Sequence, residues 1–350
     1  MVPLFLATQS QNAKLWPLHA QHPWGDSMRR REFIGLLGAG FLGPLAAKAQ
    51  QTGRTYRLGA LLPLTRDAPI NVAFLDELRR SGFIEGQNLT VEWRAYGEHI
   101  DLVSQYAAEL VKARVDVIAT GGEEAIRALQ ETTKTIPIVA ISDDMLGFGF
   151  VNSIARPDGN ITGVNILVRE LDAKRQEILI EAVPGLRRMA VLTDVNITSA
   201  AKLDALQKAA HAHGIEFSIY RVAAVEEIAA AIDNAQASGA GALNIMGSAL
   251  FYAPRHLIIE RVAALRLPAI HWLPEDAEEG GFAAYGPRLG PAFLEVVPRQ
   301  IVKLFRGNQV ADIPIEQPTK FELVINLKTA KAMGVTVPPA LLLRADKLIE

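Results

Sequence analysis

The sequence predicts an open α/β protein built as two similar lobes with a cleft between them. Short apolar runs alternate with amphipathic stretches of about 10–15 residues, the pattern of βαβ units and of parallel sheets covered on both faces. The alternation breaks at the turn-rich segment Arg156–Leu167 and then restarts. A hydrophobic content of 49% in 350 residues is enough apolar material for two cores.

Taken in order, Tyr56–Pro63 is a short apolar strand, and Val72–Ser81 a helix with Val72, Leu75 and Leu78 on one face and Gly82 as its stop. Leu89–Tyr96 alternates as a strand, and Leu102–Lys112 carries Leu102, Tyr106 and Leu110 in helical register. Val115–Leu129 reads as a buried strand, a tight Thr120-Gly121-Gly122 turn and a helix from Glu123. Ile136–Ile141 is a buried strand ending at Ser142-Asp143-Asp144. The segment Arg156–Leu167 supplies one more strand and a first crossing between lobes, with Gly159 and Gly163 giving the freedom a hinge needs.

The second series runs Ala173–Val183 (helix), Arg188–Thr193 (strand), Ala200–His213 (helix), Ile215–Val222 (strand) and Ala224–Ser238 (helix). It continues with Ala242–Gly247 (strand), Arg255–Arg266 (helix) and Ala269–Leu273 (strand). The glycine-rich Glu279–Gly286 is the second expected crossing. Gly290–Phe305 reads as one helix and Phe321–Asn326 as a late strand.

Composition removes several function classes. A formal charge of −2 with dispersed Lys and Arg argues against a nucleic-acid partner. With no cysteine there is no disulfide, thiolate metal site, cysteine nucleophile or acylated N-terminal cysteine, and so no lipid anchor of that kind. The seven histidines show no metal-binding spacing, and no cofactor motif is present.

The N-terminal segment points to export. Met1–Ser27 has no hydrophobic period, which leaves Met1 and Met28 both open as the start, Met28 being the more natural. From Met28 a basic stretch, an apolar run Phe33–Ala47 and a small-residue site at Ala47-Lys48-Ala49 make a signal peptide cleaved near Ala49. Arg30-Arg31 before Glu32-Phe33-Ile34 resembles the twin-arginine signal, which exports folded proteins; an ordinary secretory signal is the alternative. Residues 1–49 are therefore expected to be absent from a periplasmic mature chain. That chain retains 31 basic and 36 acidic residues, a net charge of −5.

The double-glycine corner suggests a ligand. Glycines leave amide N–H groups uncovered, and the start of a helix adds partial positive charge, which suits the carboxylate of a small molecule. Neither GxxxxGK[ST] nor GxGxxG is present, so phosphate is not the indicated guest.

Three segments together carry a family resemblance: MRRREFIGLLG…AAKAQ, NSIARPDGNITGVNIL and QPTKFELVINLKTAKAMGVTVPPALLLRADKLIE. With SGFIEGQNLTVEWR and TTKTIPIVAI, the chain from Met28 to Glu350 resembles the exported substrate-binding proteins of one ABC-transporter family, described as tryptophan/tyrosine or general amino-acid binding components. The resemblance implies a type I periplasmic-binding-protein fold, two Rossmann-like lobes joined by three hinge crossings, and a membrane permease as partner. It implies a first lobe of 56–165 plus 285–312 and a second of 166–284 plus 313–350.

With that fold, cleft residues follow from where strands end. On the first lobe these include Leu64, Thr65, Thr120, Gly121, Gly122, Ser142 and Asp143; on the second, Asp194, Asn196, Ser248, Glu275 and, near the crossing, Tyr285. The Gly121-Gly122 amides, the Thr120 hydroxyl and Ser142 would take a ligand carboxylate, and Asp194, Asp143 or Glu275 its ammonium. Asp143-Asp144 and Asn196 equally suit caps. Leu62, Leu64, Phe251, Tyr252, Trp272 and Tyr285 suit either an apolar pocket wall or core. His271-Trp272-Leu273-Pro274 and Ala284 depart from the resembled family, which often carries tyrosine and, slightly later, tryptophan at the first, and serine at the second.

A solute receptor that closes over its ligand is the expectation, with no catalytic residues. A sensor module feeding a membrane receptor or kinase shares the fold and pocket. An exported hydrolase would need a nucleophile and base, yet there is no GxSxG, and His271 is the one histidine at a convincing strand end.

Overall fold

Two largely parallel sheets organise the chain in a computed structural model that describes residues 53–97 and 99–350. The expected signal peptide lies outside the described residues. The first sheet has the order β2-β1-β3-β4-β5, formed by β1 (Tyr56–Leu62), β2 (Leu89–Ala95), β3 (Val117–Gly121), β4 (Ile138–Ser142) and β5 (Ile161–Asn165). Between them run α1 (Pro69–Arg80), α2 (Val103–Lys112) and α3 (Glu123–Thr132). The strands β3 and β4 are buried almost throughout, which is why they read as continuous apolar runs and not as alternating ones.

The second sheet has the order β12-β11-β10-β9-β8-β6-β7. Its first half comprises α4 (Asp172–Ala182), β6 (Arg188–Asp194), α5 (Ala200–Ala212), β7 (Glu216–Val222), α6 (Ile228–Ala237), β8 (Ala242–Ile245) and α7 (Arg255–Ala264). Then come β9 (Ala269–His271), α8 (Pro274–Glu278) and β10 (Ala283–Gly286). The chain returns to the first sheet through α9 (Leu289–Pro291), a π-helical turn Ala292–Val296 and α10 (Val297–Phe305), which packs on β3, β4 and β5. It ends on the second sheet with β11 (Glu322–Asn326), α11 (Leu327–Met333), α12 (Pro339–Leu342) and β12 (Lys347–Ile349). No helix among the described residues is long and apolar enough to cross a membrane.

Several boundaries differ from expectation, each for a local reason. Glu279–Gly286 is not a crossing: Ala283–Gly286 pairs antiparallel with β11 and parallel with β9, so the chain leaves the second sheet after Gly286 and not at Tyr285. The next crossing likewise starts later than Ile313, because the Glu316 amide and carbonyl still bond to Gly163 and Asn165 at the first sheet's edge. Gly290–Phe305 is interrupted by the π-helical turn, and the stretch before Ile228 is a 3-10 turn. Gly163 is a β5 residue at φ +142°, where an added Cβ would overlap the Ala140 carbonyl; close strand approach, not hinge freedom, requires glycine. The first crossing instead has Leu167 at φ +58°, a left-handed conformation that costs a non-glycine residue about 1–2 kcal/mol.

Candidate ligand site

The carboxyl ends of the first sheet's strands face those of the second across a cavity of about 90 Å³. Its wall is mostly apolar. The first sheet and its connections give Leu62, Leu64, Ile70 and Ile141; the crossings give Ile166, Val168, Leu289 and Phe293; the second lobe gives Ile197, Tyr252 and Trp272. The Tyr252 and Trp272 rings lie 6.4 Å apart at a 57° tilt, forming an aromatic wall.

Beside Tyr252 and Trp272, the polar residues that line this cavity are Asn71, Tyr96, Glu123, Asp143 and Ser248. Most are already held. The Asn71 amide donates to the carbonyls of Leu64 (3.1 Å) and Thr65 (2.7 Å), fixing the loop that leads into α1. The Tyr96 hydroxyl donates to the Gly121 carbonyl at 2.8 Å. The Asp143 carboxylate accepts the Arg169 amide at 2.8 Å and its Nε at 2.6 Å, while Nη1 of Arg169 donates to the Ile197 carbonyl at 2.6 Å. The Arg169 guanidinium also lies 4.3 Å from the centre of the Phe148 ring. Ser248 donates to Asp194 at 2.7 Å, and Asp194 also accepts the Asn196 amide at 2.9 Å.

The twelve residues expected at the site separate accordingly. Leu64, Gly121, Gly122, Asp143 and Ser248 line the cavity; Asp194 lines a smaller crevice beside it. The donors proposed for a carboxylate are used elsewhere. The Thr120 hydroxyl donates to the Leu61 carbonyl at 2.9 Å, and the Gly122 amide to the Ile141 carbonyl at 3.1 Å. The cause is that β3 runs through Gly121, so these groups still belong to the sheet. Ser142 is buried beneath the surface of the cavity and donates to Glu123 at 3.3 Å. Thr65 is exposed, Asn196 gives its backbone amide to the Asp194 carboxylate in the turn after β6, and neither lines the cavity. Glu275 sits in the first turn of α8, and Tyr285 offers its carbonyl to Arg175.

Glu123 is the most informative residue that sequence reasoning passed over. It is buried, and burial pushes its carboxyl above the ordinary carboxylate range, against the opposing hydrogen bond from the Asp143 amide. Both its bonds, from the Asp143 amide (3.0 Å) and the Ser142 hydroxyl, fall on Oε1. A helix-starting acid after Gly-Gly has an ordinary reading as a dipole partner, which masked it.

Next to the cavity, but outside its lining, His271 Nδ1 lies 3.6 Å from Asp276 with both side chains buried. Burial lowers the imidazole to about 4 and raises the carboxyl to about 8, so both are uncharged near neutrality. The raised acid stabilises the fold fully below its unfolded value near 3.9 and loses that contribution as pH climbs towards 8. The lowered histidine gives the opposite slope between about 4 and 6.5, leaving a net fall from about 6.5 to 8. Asp276→Asn should abolish that fall in urea midpoints measured against pH; a fall that persists would assign it to another group.

A model of the family described as ABC transporter substrate binding protein matches residues 68–349. The chain belongs to this family. Its two lobes have the type I periplasmic-binding-protein fold, shared with a conserved domain protein from Vibrio cholerae (TM-score 0.73, 22% identity, 84% of this chain and 100% of that one). They are similarly superposed on the ABC domain in complex with L-Trp from Streptococcus pneumonia (TM-score 0.70, 20% identity, 84% and 100% coverage). A tyrosine-binding protein of Clostridioides difficile is 22% identical over 275 residues, 75% of each chain.

Proposed function

We propose that this family member is the exported solute-binding component of an ABC importer. It closes two lobes, roughly 56–165 with 287–316 and 166–286 with 317–350, over an aromatic or branched-chain amino acid or related acid and delivers it to a membrane permease. The mature chain, cleaved near Ala49, works in the periplasm and changes no covalent bond in its ligand.

The observation that carries this reading is the apolar cavity lined from both lobes, with an aromatic wall on one side and buried carboxylates at its edge. Such a cavity makes both sets of contacts only in the closed state, so ligand and closure stabilise each other. The ligands of the similar proteins, tyrosine for the Clostridioides difficile protein and L-Trp for the Streptococcus pneumonia domain, support an amino acid. His271, the residue an exported hydrolase would need, is buried against Asp276 and does not line the cavity.

A thermal-shift screen of the purified chain against aromatic and branched-chain amino acids and their acids tests the proposal. A ligand at 100 times its Kd should add about 2.7 kcal/mol to stability and raise the midpoint. A flat screen, confirmed by silent titration calorimetry, would overturn it.

A further inference from the structure

The cavity has an annex of different chemistry. A crevice of about 10 Å³ adjoins it and shares Tyr96, Gly122, Glu123, Ile197, Ser248 and Ala249 with its wall. That volume admits one group the size of a water molecule. The crevice is lined by carboxylates from opposite lobes: Glu123 and Glu124 at the start of α3, and Asp194 at the end of β6. Closing the cleft therefore brings like charges around one small space.

Bringing carboxylates together away from water is unfavourable unless a cation joins them. Burial raises both Glu123 and Asp194, as expected of acids without one. Among the described residues that line the cavity or the crevice there is no lysine, arginine or histidine. Arg169, the nearest guanidinium acting on Glu123, is engaged by Asp143 and the Ile197 carbonyl. Glu123 is only 7% exposed, and the two hydrogen bonds that reach its Oε1 come from neutral donors, the Asp143 amide and the Ser142 hydroxyl.

An ammonium answers all of these conditions. It is compact, carries three donors, and can bond carboxylates from two sides. A ligand carboxylate, by contrast, finds no cation in the wall and a negative potential around it. The apolar cavity next door suits an apolar body attached to the amine.

Resting on the solute-binding role proposed above, we infer that the ligand class is a primary amine with an apolar body, its ammonium seated between Glu123 and Asp194, and that an α-carboxylate is dispensable for binding. Glu123 is then the residue that distinguishes amines from acids, and closure is driven partly by neutralising two lobes at once.

Titration calorimetry on the purified chain with two matched series tests this: L-tryptophan, tryptamine and indole-3-propionate, then L-leucine, isopentylamine and 4-methylpentanoate. In the series whose amino acid binds, the amine should stay within about tenfold of it, and the deaminated acid should be weaker by about 100-fold or more. Glu123→Gln should weaken both amine and amino acid by at least about tenfold without lowering the thermal midpoint, and Asp194→Asn should do the same from the other lobe. A deaminated acid that binds as tightly as its amino acid, or an unchanged affinity in Glu123→Gln, overturns the ammonium seat and leaves the solute-binding role standing. Binding of amines alone supports the seat and overturns the amino-acid reading. Silence from every compound overturns both.

Discussion

Replacing Arg175 with alanine should lower the free energy of unfolding by about 3–5 kcal/mol, the usual result of breaking a buried ion pair from one side. Arg175 is the largest fully buried side chain among the described residues, at 0% exposure. Its guanidinium pairs with the equally buried Asp172 and donates to the carbonyls of Val168 (2.6 Å) and Tyr285 (3.2 Å). Those carbonyls belong to the first crossing and to the strand that leads into the second. Losing the side chain would strip two backbone acceptors and leave Asp172 with Lys202, 2.7 Å away, as its cation. Urea unfolding followed by circular dichroism measures the loss. A decrease under about 1 kcal/mol, typical of an exposed pair, would mean the guanidinium does not hold the crossings.

Gly122→Val should weaken ligand binding by about 100-fold or more, equivalent to about 2.7 kcal/mol. Gly122 has φ +91°, and an added Cβ would lie 2.8 Å from the Tyr96 hydroxyl and 3.0 Å from the Ala249 Cβ. Ala249 belongs to the opposite lobe. A branched side chain therefore holds the lobes apart beside the cavity, and a ligand that needs both walls binds only the closed form. The positive-φ backbone, with ψ 139°, adds a stability loss of about 1–3 kcal/mol, small enough to leave a folded protein for calorimetry. Small-angle scattering should show the ligand-dependent compaction lost. Normal affinity with normal compaction would show that closure does not depend on this contact.

The two-lobe α/β architecture was legible because its signals are local. Buried strands such as Ile138–Ser142 are apolar runs, and helices such as Ala200–Ala212 end where Gly214 takes a left-handed turn. The site was only half legible. Strand ends pointed to Leu64, Gly121, Gly122, Asp143 and Ser248, but not to whether the Gly122 amide or the Thr120 hydroxyl was free, which depends on how far the neighbouring strand runs. Leu289 and Phe293 reach the cavity through the path of the chain between sheets, which leaves no mark on periodicity. Asp172 and Arg175 look like surface charges of an amphipathic helix; only the packing of α4 beneath the crossings buries them. The short α8 fell below the length at which a helical period is visible.

The salt bridge between Asp143 and Arg169 sits directly after the first crossing, with Arg169 gripping the first lobe through its side chain and backbone amide together. A double grip so near the pivot works as a fulcrum. Lobes pinned there cannot slide apart evenly; they swing about that pivot.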